Sequence, residues 1–175
     1  MHYGEIKRRD IANGPGVRVS LFVSGCRHHC KNCFNRETWS FDYGQDFTEK
    51  EVQYILSEMN NSFIQGFTLL GGEPFEPENQ KEVCALLKQI RNKFPHKSIW
   101  CFTGGTLEHD LWSEGPYRTE WTDEILAQLD VLVDGPFIDE LKDPRLVFCG
   151  SSNQRLIDMP ATLADHQVHL VELKR

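Results

Sequence analysis

Hydrophobic residues fall at every second position in the segment that follows an Asn-Gly-Pro-Gly turn at residues 13–16. Valine and leucine alternate with other residues over 17–23, and a period of two is typical of a β-strand. Three later hydrophobic runs, at 66–70, 98–103 and 130–133, end at glycine or polar turn residues and are also predicted to be strands. The pattern therefore predicts four strands spread along most of the chain.

Between these strands, hydrophobic residues recur three and four positions apart, which places them on one face of a helix. The first helix begins with a capping box made by Thr48 and Glu51. The second begins at Pro77, which is well suited to the first helical position, and ends before Pro95. The hydrophobic faces of the three predicted helices consist of Val52, Ile55, Leu56 and Met59; Val83, Leu86, Leu87 and Ile90; and Trp121, Ile125, Leu126 and Leu129.

Strands and helices alternate at about the interval of a βαβ unit, so the sequence predicts an α/β fold with a mostly parallel sheet. The polar stretch 108–119 is predicted to be an excursion loop. Patterning is less regular in the last forty or so residues. It predicts short strands at 146–148 and 168–171, with a polar loop at 150–155 between them.

The composition favours a folded, soluble protein. Hydrophobic residues make up 39% of the 175, and no run approaches the roughly 20 apolar residues of a membrane span. The net charge of −7 gives no reason to expect nucleic acid as a partner. Residues 1–10 are charged where a signal peptide is apolar, so we expect a cytoplasmic protein. One domain is expected over residues 1–158, followed by a tail, 159–175, without a motif.

Three of the six cysteines, Cys26, Cys30 and Cys33, lie close together directly after the first predicted strand. Three thiolates on one loop are typical of an iron–sulfur cluster with one iron left open, because a closed zinc site needs four ligands. Free thiols in a cysteine-rich loop are the alternative. Ligands bind at the carboxyl ends of the strands in an open α/β sheet, and this loop begins at such an end. His28 and His29, within the loop, are expected to be exposed residues rather than ligands.

The other cysteines, Cys84, Cys101 and Cys149, occur singly, and we assign them to structure. Two arginines, Arg18 and Arg155, are expected to lie in solvent, which is the usual place of arginine, or to contact a partner protein.

The sequence Gly71-Gly72-Glu73-Pro74 follows the second predicted strand. Its glycines allow a ligand to approach the backbone closely, and Glu73 can accept hydrogen bonds from an ammonium group. A plain turn at the end of the strand is the alternative. Asp134 ends another strand on the same side of the sheet, where it can orient a cofactor or a cation, or serve as a turn residue.

The cysteine loop and the Gly-Gly-Glu-Pro sequence together resemble the radical S-adenosylmethionine superfamily. Within it, the chain is most similar to the family of anaerobic ribonucleoside-triphosphate reductase-activating proteins, and the resemblance runs over residues 1–158. The segments that carry this closer resemblance are Asn13-Gly14-Pro15-Gly16, Phe22-Val23-Ser24-Gly25-Cys26, Cys33-Phe34-Asn35, Thr38-Trp39, Asp130-Val131-Leu132-Val133-Asp134-Gly135 and Gly150-Ser151-Ser152-Asn153-Gln154-Arg155.

The resemblance implies an incomplete βα barrel that holds a [4Fe-4S] cluster on the three clustered cysteines. S-adenosylmethionine would bind the open iron. Gly71, Gly72 and Glu73 would lie along its amino end, and Asn32 to Phe34, which include Cys33, would line its adenosyl side.

The implied reaction is the activation of the reductase. A reduced flavodoxin-type donor would supply one electron through the cluster, and S-adenosylmethionine would break into methionine and a 5′-deoxyadenosyl radical. That radical would remove hydrogen from a backbone glycine of the reductase and leave a glycyl radical. The protein's own part would be positioning and the exclusion of water.

Several positions depart from the family's usual pattern. Phe102 and Gly105 replace a tryptophan and a tyrosine, Pro136 replaces a lysine, and Cys149 replaces an arginine, so contacts with the substrate would differ. Two alternatives stay open: an activase of another glycyl-radical enzyme, of the pyruvate formate-lyase type, and a non-catalytic module that binds zinc or an iron–sulfur cluster. The small size of the chain and its loop at 150–155 favour the reductase family over the first.

Overall fold

A computed structural model describes residues 1–112 and 114–173 of the protein. One seven-stranded sheet forms its centre, and helices cover the sheet. The strands are β1 (His2–Asp10), β2 (Val17–Val23), β3 (Gln45–Asp46), β4 (Ile64–Gly71), β5 (Ser98–Phe102), β6 (Val131–Asp134) and β7 (Arg155–Asp158). The α-helices are α1 (Glu49–Met59), α2 (Pro77–Lys93), α3 (Thr122–Gln128) and α4 (Met159–Asp165), and shorter helical turns span Arg36–Trp39, Leu107–Trp112 and Asp139–Leu141.

The strand order is β3-β1-β2-β4-β5-β6-β7. The four central strands, β2, β4, β5 and β6, pair in parallel, whereas the strands at the two edges pair antiparallel. This confirms the predicted α/β fold with a mostly parallel sheet, and the sheet is open. Because these four strands are parallel, their carboxyl ends lie side by side. The last residues of the strands are Val23, Gly71, Phe102 and Asp134.

The three predicted helices are confirmed. Thr48 and Glu51 form the capping box of α1, and α2 begins at Pro77 and ends at Lys93, ahead of Pro95. Their hydrophobic faces are buried in one continuous core with the sheet, except that Trp121 is only partly buried against it. The three- and four-residue spacing was sufficient here because each helix covers one face of a sheet and exposes the other side to water.

Several predictions for the irregular segments are wrong. Leu107 and Leu111 are buried, four residues apart, and the chain between them is helical where an excursion loop was predicted. Residues 146–148 form bends rather than a strand. The strand in this region is instead β7, which begins at the end of the predicted polar loop and pairs with β6. Of the predicted strand 168–171, Leu170 alone makes an isolated bridge, to Ile157.

Both ends of the chain carry structure that the sequence pattern did not reveal. β1 is an edge-side strand with mostly exposed or half-buried residues, so it lacks a clear hydrophobic alternation. The predicted tail contains α4, whose Met159 and Thr162 are buried. Residue 113 of the predicted excursion loop, and residues 174–175 of the tail, lie outside the described residues. Within the described residues, no helix is both long and apolar enough to cross a membrane.

Arg18 was predicted to lie in solvent, the usual place of arginine, or to contact a partner protein, but it is fully buried. β2 lies between β1 and β4, and its residues are buried on both faces of the strand, so its polar positions are buried as well. The Arg18 guanidinium donates from Nε to Thr68 Oγ1 (2.7 Å), from Nη1 to Ser98 Oγ (2.9 Å) and from Nη2 to Phe67 O (2.8 Å). Burial lowers its pKa to about 10. Arg18 therefore ties three neighbouring strands together at their amino ends.

We expect Arg18→Met to lower the free energy of unfolding by roughly 2–3 kcal/mol, because it leaves buried carbonyl and hydroxyl groups without a donor. Urea unfolding of the apoprotein, followed by circular dichroism, measures this change. The matched control is Arg145→Met, since the Arg145 side chain is 88% exposed and pairs only at the surface with Asp143. Equal stabilities for the two variants would contradict the structural role of Arg18.

Candidate functional site

The three clustered cysteines lie in one cavity of about 370 Å³ at the carboxyl ends of the parallel strands. Cys26 follows β2 after two residues and is buried, whereas Cys30 and Cys33 are half-buried. His29 and Asn32, which flank Cys30 and Cys33 on their amino-terminal sides, have positive φ angles of 49° and 58°, in the left-handed region that residues with side chains rarely adopt. All three cysteines line this one cavity.

The arrangement of the thiols suits a cluster better than a single metal ion. Among the described residues, no three His, Cys, Asp or Glu side chains are placed to hold one ion. A [4Fe-4S] cluster does not require such convergence, because each thiolate binds a different iron. The donor set, three cysteines on one short loop, therefore fits an iron–sulfur cluster and not a closed zinc site.

Burial changes the acidity of two of the three clustered thiols, those of Cys26 and Cys30. Burial raises the pKa of Cys26 to about 12 and also raises the pKa of Cys30. Iron binds thiolate rather than thiol, so formation of the cluster must release protons from these residues.

Gly71 and Gly72 also line the cavity, and each is a glycine for a physical reason. Gly71 has a φ of +116°, which is strained for any residue with a side chain. A Cβ on Gly72 would lie 2.6 Å from Gly25 O and 2.9 Å from Thr38 O. The end of β4 thus passes directly beneath the segments that flank the cysteine loop.

Glu73 does not line the cavity, and its oxygens are occupied by groups of the same chain. It is fully buried. Its Oε1 accepts hydrogen bonds from Phe75 N and from Thr103 Oγ1, both at 2.9 Å. Its Oε2 accepts one from Gly104 N at 2.8 Å and lies 2.8 Å from His28 Nε2. The carboxylate joins the cysteine loop to the ends of β4 and β5, and in this structure it is not free to receive an ammonium group.

His28 was predicted to be exposed, and this is wrong, because its side chain is only 16% exposed. Burial alone would lower the pKa of His28, but the hydrogen bond to Glu73 and the negative charge of that residue outweigh burial and raise it. The imidazole Nδ1 lies 3.4 Å from the Tyr117 hydroxyl oxygen. His28 therefore fixes the first half of the cysteine loop against the sheet, whereas His29 is exposed as predicted.

Asp134 and Arg155 bind each other instead of facing a ligand or solvent. Asp134 is buried and accepts hydrogen bonds from Arg155 Nε and from Leu107 N, both at 2.9 Å. Arg155 also donates to Glu108, which lowers the pKa of that carboxyl. Asp134 thus anchors the helical turn at Leu107–Trp112, and Gly135, the next residue, lines the cavity.

The two loop residues predicted to contact a cofactor lie on opposite sides of Cys33 in the sequence. Phe34 lines the cavity and is 81% exposed, so an apolar ring stands at the cavity mouth. Asn32 is exposed and donates from Nδ2 to Asp139 Oδ2 at 2.8 Å, which ties the loop to the segment after β6.

Other cavity residues were not singled out from the sequence. Trp39, Thr103 and Phe137 line the cavity, as does Cys149, which was assigned to structure. Cys149 also packs near Trp100 in a small hydrophobic cluster. Trp39 belongs to a segment, Thr38-Trp39, that carried the family resemblance, but no spacing rule distinguishes a cavity tryptophan from a core tryptophan.

The remaining two cysteines do not line the cavity, and we expect Cys84→Ser and Cys101→Ser to retain full iron and sulfide content. Cys84 is buried on α2, 3.6 Å from Glu124 Oε2, and Cys101 is buried within β5. Chemical analysis of iron and sulfide after anaerobic reconstitution measures the outcome. Loss of iron from either folded variant would show that the ligands are misassigned.

Comparison with known proteins gives a consistent picture. A family model described as a 4Fe-4S single cluster domain matches residues 12–157. Curated proteins named "Anaerobic ribonucleoside-triphosphate reductase-activating protein" are similar to the chain. Those from Salmonella typhimurium and Escherichia coli K12 are each 40% identical over 156 residues, which is 88% of this chain and 96% of the relative. The one from Enterobacteria phage T4 is 41% identical over 156 residues, covering 89% of this chain and 93% of the relative.

Proposed function

The chain belongs to the family of anaerobic ribonucleoside-triphosphate reductase-activating proteins, and on this premise we propose that it is the enzyme that generates the glycyl radical of such a reductase. The observation that carries the proposal is the position of Cys26, Cys30 and Cys33 in one cavity at the carboxyl ends of the parallel strands. The open sheet agrees with the incomplete βα barrel of the radical S-adenosylmethionine type, which we propose as the fold.

We propose that Cys26, Cys30 and Cys33 hold a [4Fe-4S] cluster through one iron each. When bound and reduced, the cluster would supply one electron for cleavage of S-adenosylmethionine into methionine and a 5′-deoxyadenosyl radical, and that radical would take hydrogen from a glycine of the reductase. A reduced flavodoxin-type protein is proposed as the electron source.

The cosubstrate is proposed to lie in the same cavity, along Gly71 and Gly72 and beside Cys33, Phe34 and the neighbouring Asn32. Gly72 has no room for a side chain, so its backbone is the surface presented to the ligand. Phe34, at the cavity mouth, supplies an apolar surface that helps to exclude water from a reactive intermediate.

Glu73 and Asp134 are proposed to support the cosubstrate site from behind. Glu73 fixes the positions of His28 and Gly104, and Gly104 lines the cavity. Asp134 fixes Leu107 and precedes the cavity residue Gly135. Both carboxylates thus hold backbone segments at the cavity wall, and such outer groups commonly decide how accurately a site is placed.

Anaerobic reconstitution with iron and sulfide tests the proposal. We expect charge-transfer absorbance of a [4Fe-4S] cluster, and formation of 5′-deoxyadenosine on addition of dithionite and S-adenosylmethionine. Mixing the loaded protein with the reductase should then give the electron paramagnetic resonance (EPR) signal of a glycyl radical. A loaded protein that forms no 5′-deoxyadenosine would refute the enzyme assignment, and cosubstrate cleavage without a radical on the reductase would refute the choice of partner.

A further inference from the structure

The indole nitrogen of Trp39 is a buried hydrogen-bond donor that lacks an acceptor. Across residues 1–112 and 114–173, its Nε1 alone among buried side-chain nitrogen and oxygen atoms has no hydrogen-bond partner. Trp39 lines the cavity that contains the three clustered cysteines. The tryptophan that carries the unpaired donor is therefore a residue of the functional site and not of the hydrophobic core.

The position of the ring is fixed by the cysteine loop. Cys26 N donates to Trp39 O at 3.2 Å, so the tryptophan backbone is tied directly to the first cysteine. His29, which lies between the first and second cysteines, stacks on the indole with ring centroids 4.3 Å apart and an interplanar angle of 17°. The Arg36 guanidinium carbon lies 5.2 Å from the centre of the same ring. The indole thus lies beside the segment that carries Cys26 and Cys30.

An unpaired buried donor destabilises a protein by about 1–3 kcal/mol, and native structures rarely contain one without a reason. A bound group that supplies the acceptor is such a reason. Sulfur atoms of an iron–sulfur cluster accept hydrogen bonds, and those bonds raise the reduction potential because they stabilise the more negatively charged reduced form.

We propose that Trp39 Nε1 donates a hydrogen bond to a sulfur atom of the bound cluster and thereby raises its reduction potential. The inference rests on the proposed function, since it requires the cluster on Cys26, Cys30 and Cys33. It gives Trp39 a specific role, which is to ease transfer of the electron into the cluster.

Trp39→Phe tests the proposal, because it keeps an aromatic ring beside His29 and removes only the N–H group and the second ring. In a redox titration of the loaded protein followed by EPR, we expect the potential to become more negative. At the wild-type midpoint, the ratio of reduced to oxidised cluster should fall about fivefold, the effect of one ordinary hydrogen bond. The control is Trp112→Phe, since Trp112 stacks on His166 and does not line the cavity. A wild-type potential in a fully loaded Trp39→Phe protein would overturn the proposal.

A second measurement on the unmutated protein decides the matter if the variant does not fold or load. With all four tryptophans labelled with ¹⁵N in the indole ring, pulsed EPR of the reduced cluster should show a ¹⁵N coupling without added S-adenosylmethionine. The other three tryptophans do not line the cavity, so the coupling would report Trp39. No coupling, or a coupling that appears only with the cosubstrate, would overturn the proposal while leaving cosubstrate cleavage intact. A wild-type protein that takes up no cluster would overturn the proposed function itself, and this inference with it.

Discussion

Replacing any one of Cys26, Cys30 and Cys33 by alanine is expected to abolish formation of 5′-deoxyadenosine. The three cysteines share one loop and line one cavity. Loss of an outer partner of a metal ligand already costs about 10–100-fold in activity or metal affinity, and loss of the ligand itself must cost more. We therefore expect a decrease of more than about 100-fold in each single variant, measured by chromatography after reaction with dithionite and S-adenosylmethionine.

The scattered cysteines provide the control for this result. Cys84→Ser changes a buried thiol outside the cavity and should retain the cluster and wild-type cleavage. Cys149→Ala is a sharper comparison, because Cys149 lines the same cavity but lies outside the cysteine loop. If the alanine variant of a loop cysteine kept full activity while Cys149→Ala lost it, Cys149 would be a ligand and the assignment of the loop would be wrong.

The central fold could be predicted because each central element has one clear periodicity. β4 to β6 and α1 to α3 are regular segments whose burial follows from their place in a covered sheet. The edges could not be predicted in the same way. β1 has few buried residues, and β7 follows a loop whose polar sequence conceals the start of a short strand.

The cysteine loop was visible in the sequence because its spacing is local. The role of Glu73 could not be seen in the sequence, because its partners are distant along the chain. Thr103 and Gly104 lie about thirty residues away, and His28 lies forty-five residues away. Burial of Arg18 likewise depends on which strands flank β2. The alternation of hydrophobic residues along a strand does not reveal the order of strands in the sheet. Sequence spacing predicted the ligands of the site, whereas the supporting contacts depend on tertiary structure.

Glu73→Ala is expected to give the second large effect, on stability and on activity together. It would leave the N–H groups of Phe75 and Gly104, the Thr103 hydroxyl and the His28 ring without their shared acceptor. We expect a decrease of roughly 3–5 kcal/mol in the free energy of unfolding, because several buried donors lose their partner at once. Urea unfolding of the apoprotein measures this decrease.

Activity of the folded Glu73→Ala protein, assayed at low temperature, is expected to fall at least about 10-fold, as for loss of an outer partner of a ligand. Glu73→Gln should also have low activity. Each carboxylate oxygen of Glu73 accepts a hydrogen bond from a backbone N–H, and in the Gln variant one of these N–H groups would face the amide NH₂ group. The control is Glu120→Ala at the exposed Glu120, which should match the wild type in both measurements. A Gln variant with wild-type stability and cleavage would show that the negative charge and the paired acceptors of Glu73 do not hold the cysteine loop to the ends of β4 and β5.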